Sequence, residues 1–178
     1  MSYKSPFALP PPHLRKKADQ IKVELSKDSE SDQITVLNVL HVRDHFTQQR
    51  NMGAFNSFCS SKFLSASTLN MIADLRKNTS RELTSLGFPP SDVAGYHNRH
   101  GGYEQQTAFL QAAIVAGLYP NVAHRTRGDH NFSTMTNRKA KVHVSSVNAI
   151  KGQRLNGKCT VTEGEVEFIV FGEMVRAL

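Results

Sequence analysis

Arg125 and Arg127 stand two residues apart, with His124 before them and His130 after, in the run His124-Arg-Thr-Arg-Gly-Asp-His130. Guanidinium groups at this spacing on a glycine-containing connection suit phosphate oxygens, because they stay charged and present several N–H donors in a fork. Arg138, Lys139 and Lys141 form the next cluster. Lys151, Arg154 and Lys158 follow in a Gly/Asn-rich stretch, expected to be a loop flanking the same groove. Ser145 and Ser146 carry hydroxyls that can donate to phosphate oxygens, or equally cap a turn. Between Asn121 and Lys158 eight Lys/Arg residues face one acid, Asp129, so this stretch holds +7, the formal net charge of the whole 178-residue chain. A neutral body with one basic segment points to a polyanionic partner, of which nucleic acid is the commonest.

Two aromatic residues near this segment, Phe132 and Tyr119, are candidates to stack a base, although an aromatic in a small barrel more often belongs to its core. Other chemistry is poorly supported. His41-Val-Arg-Asp-His45 places two imidazoles at i and i+4 on one helix face, but the intervening Asp44 is shorter than the glutamate of zinc peptidases and no third ligand stands out. No nucleophile elbow or glycine-rich phosphate loop occurs, so no catalytic and no metal-ligating residue is assigned. His97, Asn98, Arg99 and His100 fall in a polar loop. The two cysteines, Cys59 and Cys159, lack ligand spacing and read as reduced thiols, which suits an intracellular protein; Cys59 lies on an apolar stretch and reads as a core residue. No apolar run reaches the roughly 18 residues of a membrane span, and the first residues lack the apolar core of a signal peptide.

These candidates need elements to hold them. Residues 1–12 are punctuated by Pro6, Pro10, Pro11 and Pro12 and cannot begin as a helix. Helical spacing then runs from His13 to Ser26 (Leu14, Ala18, Ile21, Leu25) and from a Ser31 or Asp32 cap to about Phe46 (Ile34, Val36, Leu37, Val39, Leu40). Phe55, Phe58, Cys59 and Phe63 form an apolar group. A long helix over about 67–86 turns Leu69, Ile72, Leu75, Leu83 and Leu86 inward, so Leu75→Ala is expected to open a core cavity; Gly87 and Pro89-Pro90 end it. Residues 88–103 read as a surface loop, and Glu104–Ala116 as a helix ending at Gly117. After Pro120 the texture changes to short β-prone runs, 122–124, 132–136, 141–144 and 166–171. The fold class is therefore α+β, helices first and a small antiparallel barrel or sheet after 117–120.

In this order, the segments resemble the C-terminal region of DEAH/RHA-type RNA helicases. Ser2-Tyr-Lys-Ser-Pro-Phe7, Lys27-Asp-Ser-Glu-Ser-Asp-Gln-Ile-Thr-Val-Leu-Asn38, Phe58-Cys59 with the helix ending Gly87-Phe88, Ala113-Ile-Val-Ala-Gly-Leu-Tyr-Pro-Asn-Val-Ala123, Lys141-Val-His-Val-Ser-Ser-Val-Asn148 and Phe168-Ile-Val-Phe-Gly-Glu173 carry the match. The resemblance implies a ratchet-like, helicase-associated helical domain over 1–117 and an OB-fold over 118–178, its barrel short of a closing strand. It implies single-stranded RNA and the RecA-like motor domains as partners, with regulatory proteins also possible, and an ATP-dependent RNA-unwinding parent in which ATP and Mg²⁺ sit in the motor domains. Neither a G-x-x-x-x-G-K-[ST] string nor a DEAH box occurs here, so no cofactor is assigned to these residues. Five positions depart from the family's pattern: Gln33, Arg43, Asn78-Thr79 and Val144 replace His, Trp, Gln-Leu and Pro. The expected role is non-catalytic RNA binding at His124, Arg125, Arg127, His130, Arg138, Lys139, Lys141, Ser145, Ser146, Lys151 and Arg154. A protein-docking adaptor without RNA contact is the alternative, and a metallohydrolase on His41 and His45 a remote third.

Overall fold

Prolines decide where the first helix starts. In the computed structural model, which describes residues 4–27, 29–88, 103–126, 129, 131–136, 138–154 and 166–175, a single 3₁₀ turn at Pro12–Leu14 leads into α1, Arg15–Ser26. Proline at the first position of a turn forgoes an N–H that would have no partner there. The helix stops at Lys27, whose left-handed backbone (φ 47°) turns its N–H onto Glu24 O at 3.3 Å. Helix α2, Asp32–Gln48, begins as its cap demands: Ser31 Oγ accepts the Ile34 N–H at 3.3 Å. Its buried Asn38 donates Nδ2 to the terminal carbonyls of α1, Leu25 O at 3.0 Å and Ser26 O at 3.4 Å, and so satisfies a buried polar group while tying the two helices.

Helices α3, Met52–Ser61, and α4, Ala66–Ser85, are capped in the same way by Asn51 and Ser65. The core they enclose consists of Val39, Leu40, Phe55, Cys59, Leu64, Leu69 and Ala73, with Phe7, Phe46 and Phe58 packed against it. Phe7 arrives from the proline-rich start, where Ala8 N–H donates to Phe63 O and Ser65 N–H to Pro6 O, both at 2.8 Å. Burial also pushes the Cys59 thiol above its ordinary pKa, as expected for a packing residue. Of the expected inward stripe of α4, Leu69 is buried and Ile72 and Leu83 are half-buried, but Leu75 is 37% exposed and Leu86 more so. At 20 residues, α4 is about 30 Å long and outruns the ten-residue α3 beside it, so among the described residues its second half meets less of the core.

Helix α5, Tyr103–Leu118, precedes a cis Tyr119–Pro120 bond and then strand β1, Val122–Thr126. Strands β2, Phe132–Thr134, β3, Lys139–Ala140, and β4, Val166–Val170, complete an open antiparallel sheet in the order β3-β2-β1-β4. The strand expected over 141–144 does not form. His143 Nδ1 instead bonds Ser145 Oγ at 2.8 Å, and its carbonyl accepts the Ser146 N–H at 2.9 Å, so local turn chemistry outcompetes a ladder. That turn opens α6, Val147–Arg154, where a loop was expected; Ser146 Oγ accepts the Asn148 N–H at 3.3 Å, and Val147 and Ile150 supply a buried i, i+3 pair. α6 packs against α1 and joins the helical half to the strand-bearing half. Among the described residues no helix is long and apolar enough to cross a membrane.

Candidate nucleic-acid interface

Alternation along β1 sorts its side chains between two faces of the sheet. Ala123 turns to the buried side, shared with Phe132 and Thr134. Arg125 follows on that side and is engaged there. Its Nε and Nη2 reach Glu167 Oε2 at 3.0 and 2.5 Å, and its guanidinium lies 4.7 Å from the centre of the Phe132 ring. Glu167 is the direct cross-strand partner of Arg125, a register that sequence spacing alone does not disclose. A phosphate reaching Arg125 would have to compete with that carboxylate. Phe132 is 4% exposed and is a core residue rather than a stacking surface; Tyr119 is exposed.

The run 124–130, expected as a loop, is strand as far as Thr126, because pairing with β4 continues to Thr126↔Val166. Arg127 and His130 lie outside the described residues, as does Lys158. Within the connection, the Thr126 hydroxyl donates to the Asp129 carboxylate and holds its pKa below the ordinary value, assisted by the charge of Lys139. Arg138, Lys139 and Lys141 are all exposed around β3, at the edge of the sheet. Lys151 and Arg154 are on α6 and not on a loop.

His124 points to the other face. There the register aligns Lys139↔Ser133↔His124↔Phe168 across all four strands, with the His124 and Phe168 rings 6.3 Å apart.

The Ser145-Ser146 turn is held from the helical half. Lys22 of α1 bonds Ser145 O, pairs with Asp32 Oδ1 at 2.7 Å and sits 5.0 Å over the Phe7 ring. Asp32 Oδ1 also accepts the Val147 N–H at 3.1 Å, placing a carboxylate at the N-terminus of α6. These side chains line a cleft with Ser5, Val36 and His143. Neither Lys22 nor Asp32 was a candidate from sequence: 115 residues separate Asp32 from Val147, and no local pattern spans that gap.

Two side chains of the His41–His45 run have other partners on and around α2. Asp44 accepts from Arg76 Nη2 at 2.6 Å and Arg43 Nη1 at 3.3 Å, while His45 Nε2 meets Gln49 Nε2 at 2.9 Å. Among the described residues no three His, Cys, Asp or Glu side chains are gathered as a ligand set.

Comparison with known proteins agrees with this architecture. Residues 110–177 match the family model described as "Oligonucleotide/oligosaccharide-binding (OB)-fold". The chain is 32% identical over 151 residues to the "DExH-box ATP-dependent RNA helicase DExH1" of Arabidopsis thaliana, covering 84% of this chain and 14% of the relative. It is 30% identical over 158 residues to the "ATP-dependent DNA/RNA helicase DHX36" of Homo sapiens, covering 83% and 15%. A second Arabidopsis thaliana protein, "DExH-box ATP-dependent RNA helicase DExH6", is 26% identical over 179 residues, covering 98% and 13%. The chain thus spans about one-seventh of the length of the curated relatives it matches.

Proposed function

This chain corresponds to the C-terminal region of DEAH/RHA-type RNA helicases, and from that premise we propose that it holds single-stranded RNA for the ATP-driven motor domains without itself catalysing a step. One observation carries the reading: three exposed cations, Arg138, Lys139 and Lys141, crowd the β3 edge of an OB-fold sheet. Cations there neutralise phosphates and bind without sequence preference. The proposed footprint also takes in His124, Arg127, His130, Ser145, Ser146, Lys151 and Arg154, the other basic and hydroxyl residues of the same sequence segment; Arg125 joins it only by exchanging Glu167 for a phosphate.

The helical half is assigned to 1–117 and the OB-fold to 118–178. Contact with RecA-like motor domains, where ATP and Mg²⁺ would bind, is supported by α5, whose Phe109 and Val115 stand exposed. An intracellular, reducing setting is supported by the free, buried Cys59 thiol.

Titration of labelled oligo-U over a salt series tests the RNA assignment. Binding that weakens with salt is expected, and replacing Arg138, Lys139 and Lys141 together with Ala should flatten the log–log slope by about 2, at roughly 0.7 per phosphate contact on a single strand. The exposed face of α5 equally favours a protein-docking adaptor, and absent or salt-independent oligo-U binding would decide for it.

A further inference from the structure

Residues directly opposed on neighbouring strands project from the same face of a sheet. Lys139, Ser133, His124 and Phe168 are opposed in this way, one from each strand, and form a single row from β3 to β4. At about 4.8 Å between strands the row is about 14 Å long. It runs from a cation to a phenyl ring. Phe168 is 67% exposed, and the neighbouring His124 ring is inclined to it by 45°. Among the described residues the core is served from the other side, by Ala123, Phe132 and Thr134, where Arg125 and Glu167 are also paired.

We propose that this outer face is a base-stacking platform, Phe168 taking the plane of one unpaired base with the tilted His124 ring at that base's edge, while Lys139 meets the backbone phosphates beyond it. The proposal rests on the RNA reading above and adds the site and the group recognised there. Charge argues for a nucleic-acid occupant: the row ends in Lys139, with Arg138 and Lys141 beside it, and an apolar protein surface laid along the row would bury that cation unpaired. Stacking on a ring needs no particular base, which suits a strand bound mainly through its phosphates.

The chain has no tryptophan, so Phe168→Trp places a single indole on the platform. Quenching of that indole by oligo-U, at an affinity near that of the original chain, is the expected result. Phe168→Ala should weaken oligo-U binding about ten-fold while leaving the salt slope unchanged, since phosphate contacts remain. An abasic oligonucleotide of equal charge should bind the original chain and Phe168→Ala alike. An unquenched indole together with unchanged affinity in Phe168→Ala overturns the platform and leaves the face to a protein partner. If that result accompanies a salt slope still lowered by the triple Arg138, Lys139 and Lys141 substitution, only the platform fails; if no variant and not the original chain binds oligo-U, the RNA reading falls with it. Should Phe168→Ala fold poorly, the indole signal of Phe168→Trp still decides.

Discussion

Replacing Phe55 with alanine is expected to destabilise the chain by about 3–5 kcal/mol, the largest effect of any single truncation considered. The side chain is 0% exposed and lies at the centre of the helical core, with the Phe46 ring 6.2 Å away. Its removal forfeits transfer free energy and leaves a void between α2, α3 and α4 that capped, hydrogen-bonded helices cannot close. For a chain of this length the melting midpoint should fall on the order of 10 °C. Leu75→Ala serves as the control. Although its spacing on α4 looks equivalent, its exposure predicts a change below about 1 kcal/mol. Equal midpoints for the two variants in thermal denaturation would show that the helices pack on different faces from those described.

Asp32→Ala is expected to cost about 2 kcal/mol, through two losses at one atom. Oδ1 bonds both Lys22 Nζ and the first amide of α6, so alanine removes the carboxylate from a lysine side chain that is only 12% exposed, leaving it Ser145 O, and takes the side-chain acceptor from the α6 N-terminus. Neither is a solvated surface pair of the kind that contributes little. The selective readout is amide exchange: the α6 amides Val147 and Asn148 should lose protection while those of α3 keep theirs. Uniform loss across both helices would mean that Asp32 acts on global stability and not on the junction.

Local rules made much of the helical half legible. Ser31 caps where a serine before an apolar stripe should, Gly87 follows the end of α4, and Asn38 escapes notice only because its partners are carbonyls of another helix. Periodicity overreached where an element outlasts its neighbours, as with Leu75 and Leu86. In the strand-bearing half the errors have a common origin. Val142 and Val144 have the β-branched alternation of a strand, yet His143 and Ser145 satisfy the backbone locally, and α6 follows because burial of Val147 and Ile150 outweighs the loop character of the residues after them. The candidate site was legible as charge and not as geometry. Which cation is engaged and which exposed depends on cross-strand register: Glu167 faces Arg125, whereas Phe168, one residue along, faces His124.

The extended start of the chain has a practical implication for anyone preparing this protein. Pro6, Phe7 and Ala8 are stitched to the turn between α3 and α4, and the ring of Phe7 lies beneath the same Lys22 that grips Ser145. Trimming the polypeptide to the first regular helix would therefore unseat a buttress of the core and slacken the serine turn more than a hundred positions downstream, so shortened versions intended to isolate the OB-fold's behaviour should keep this leading clasp intact.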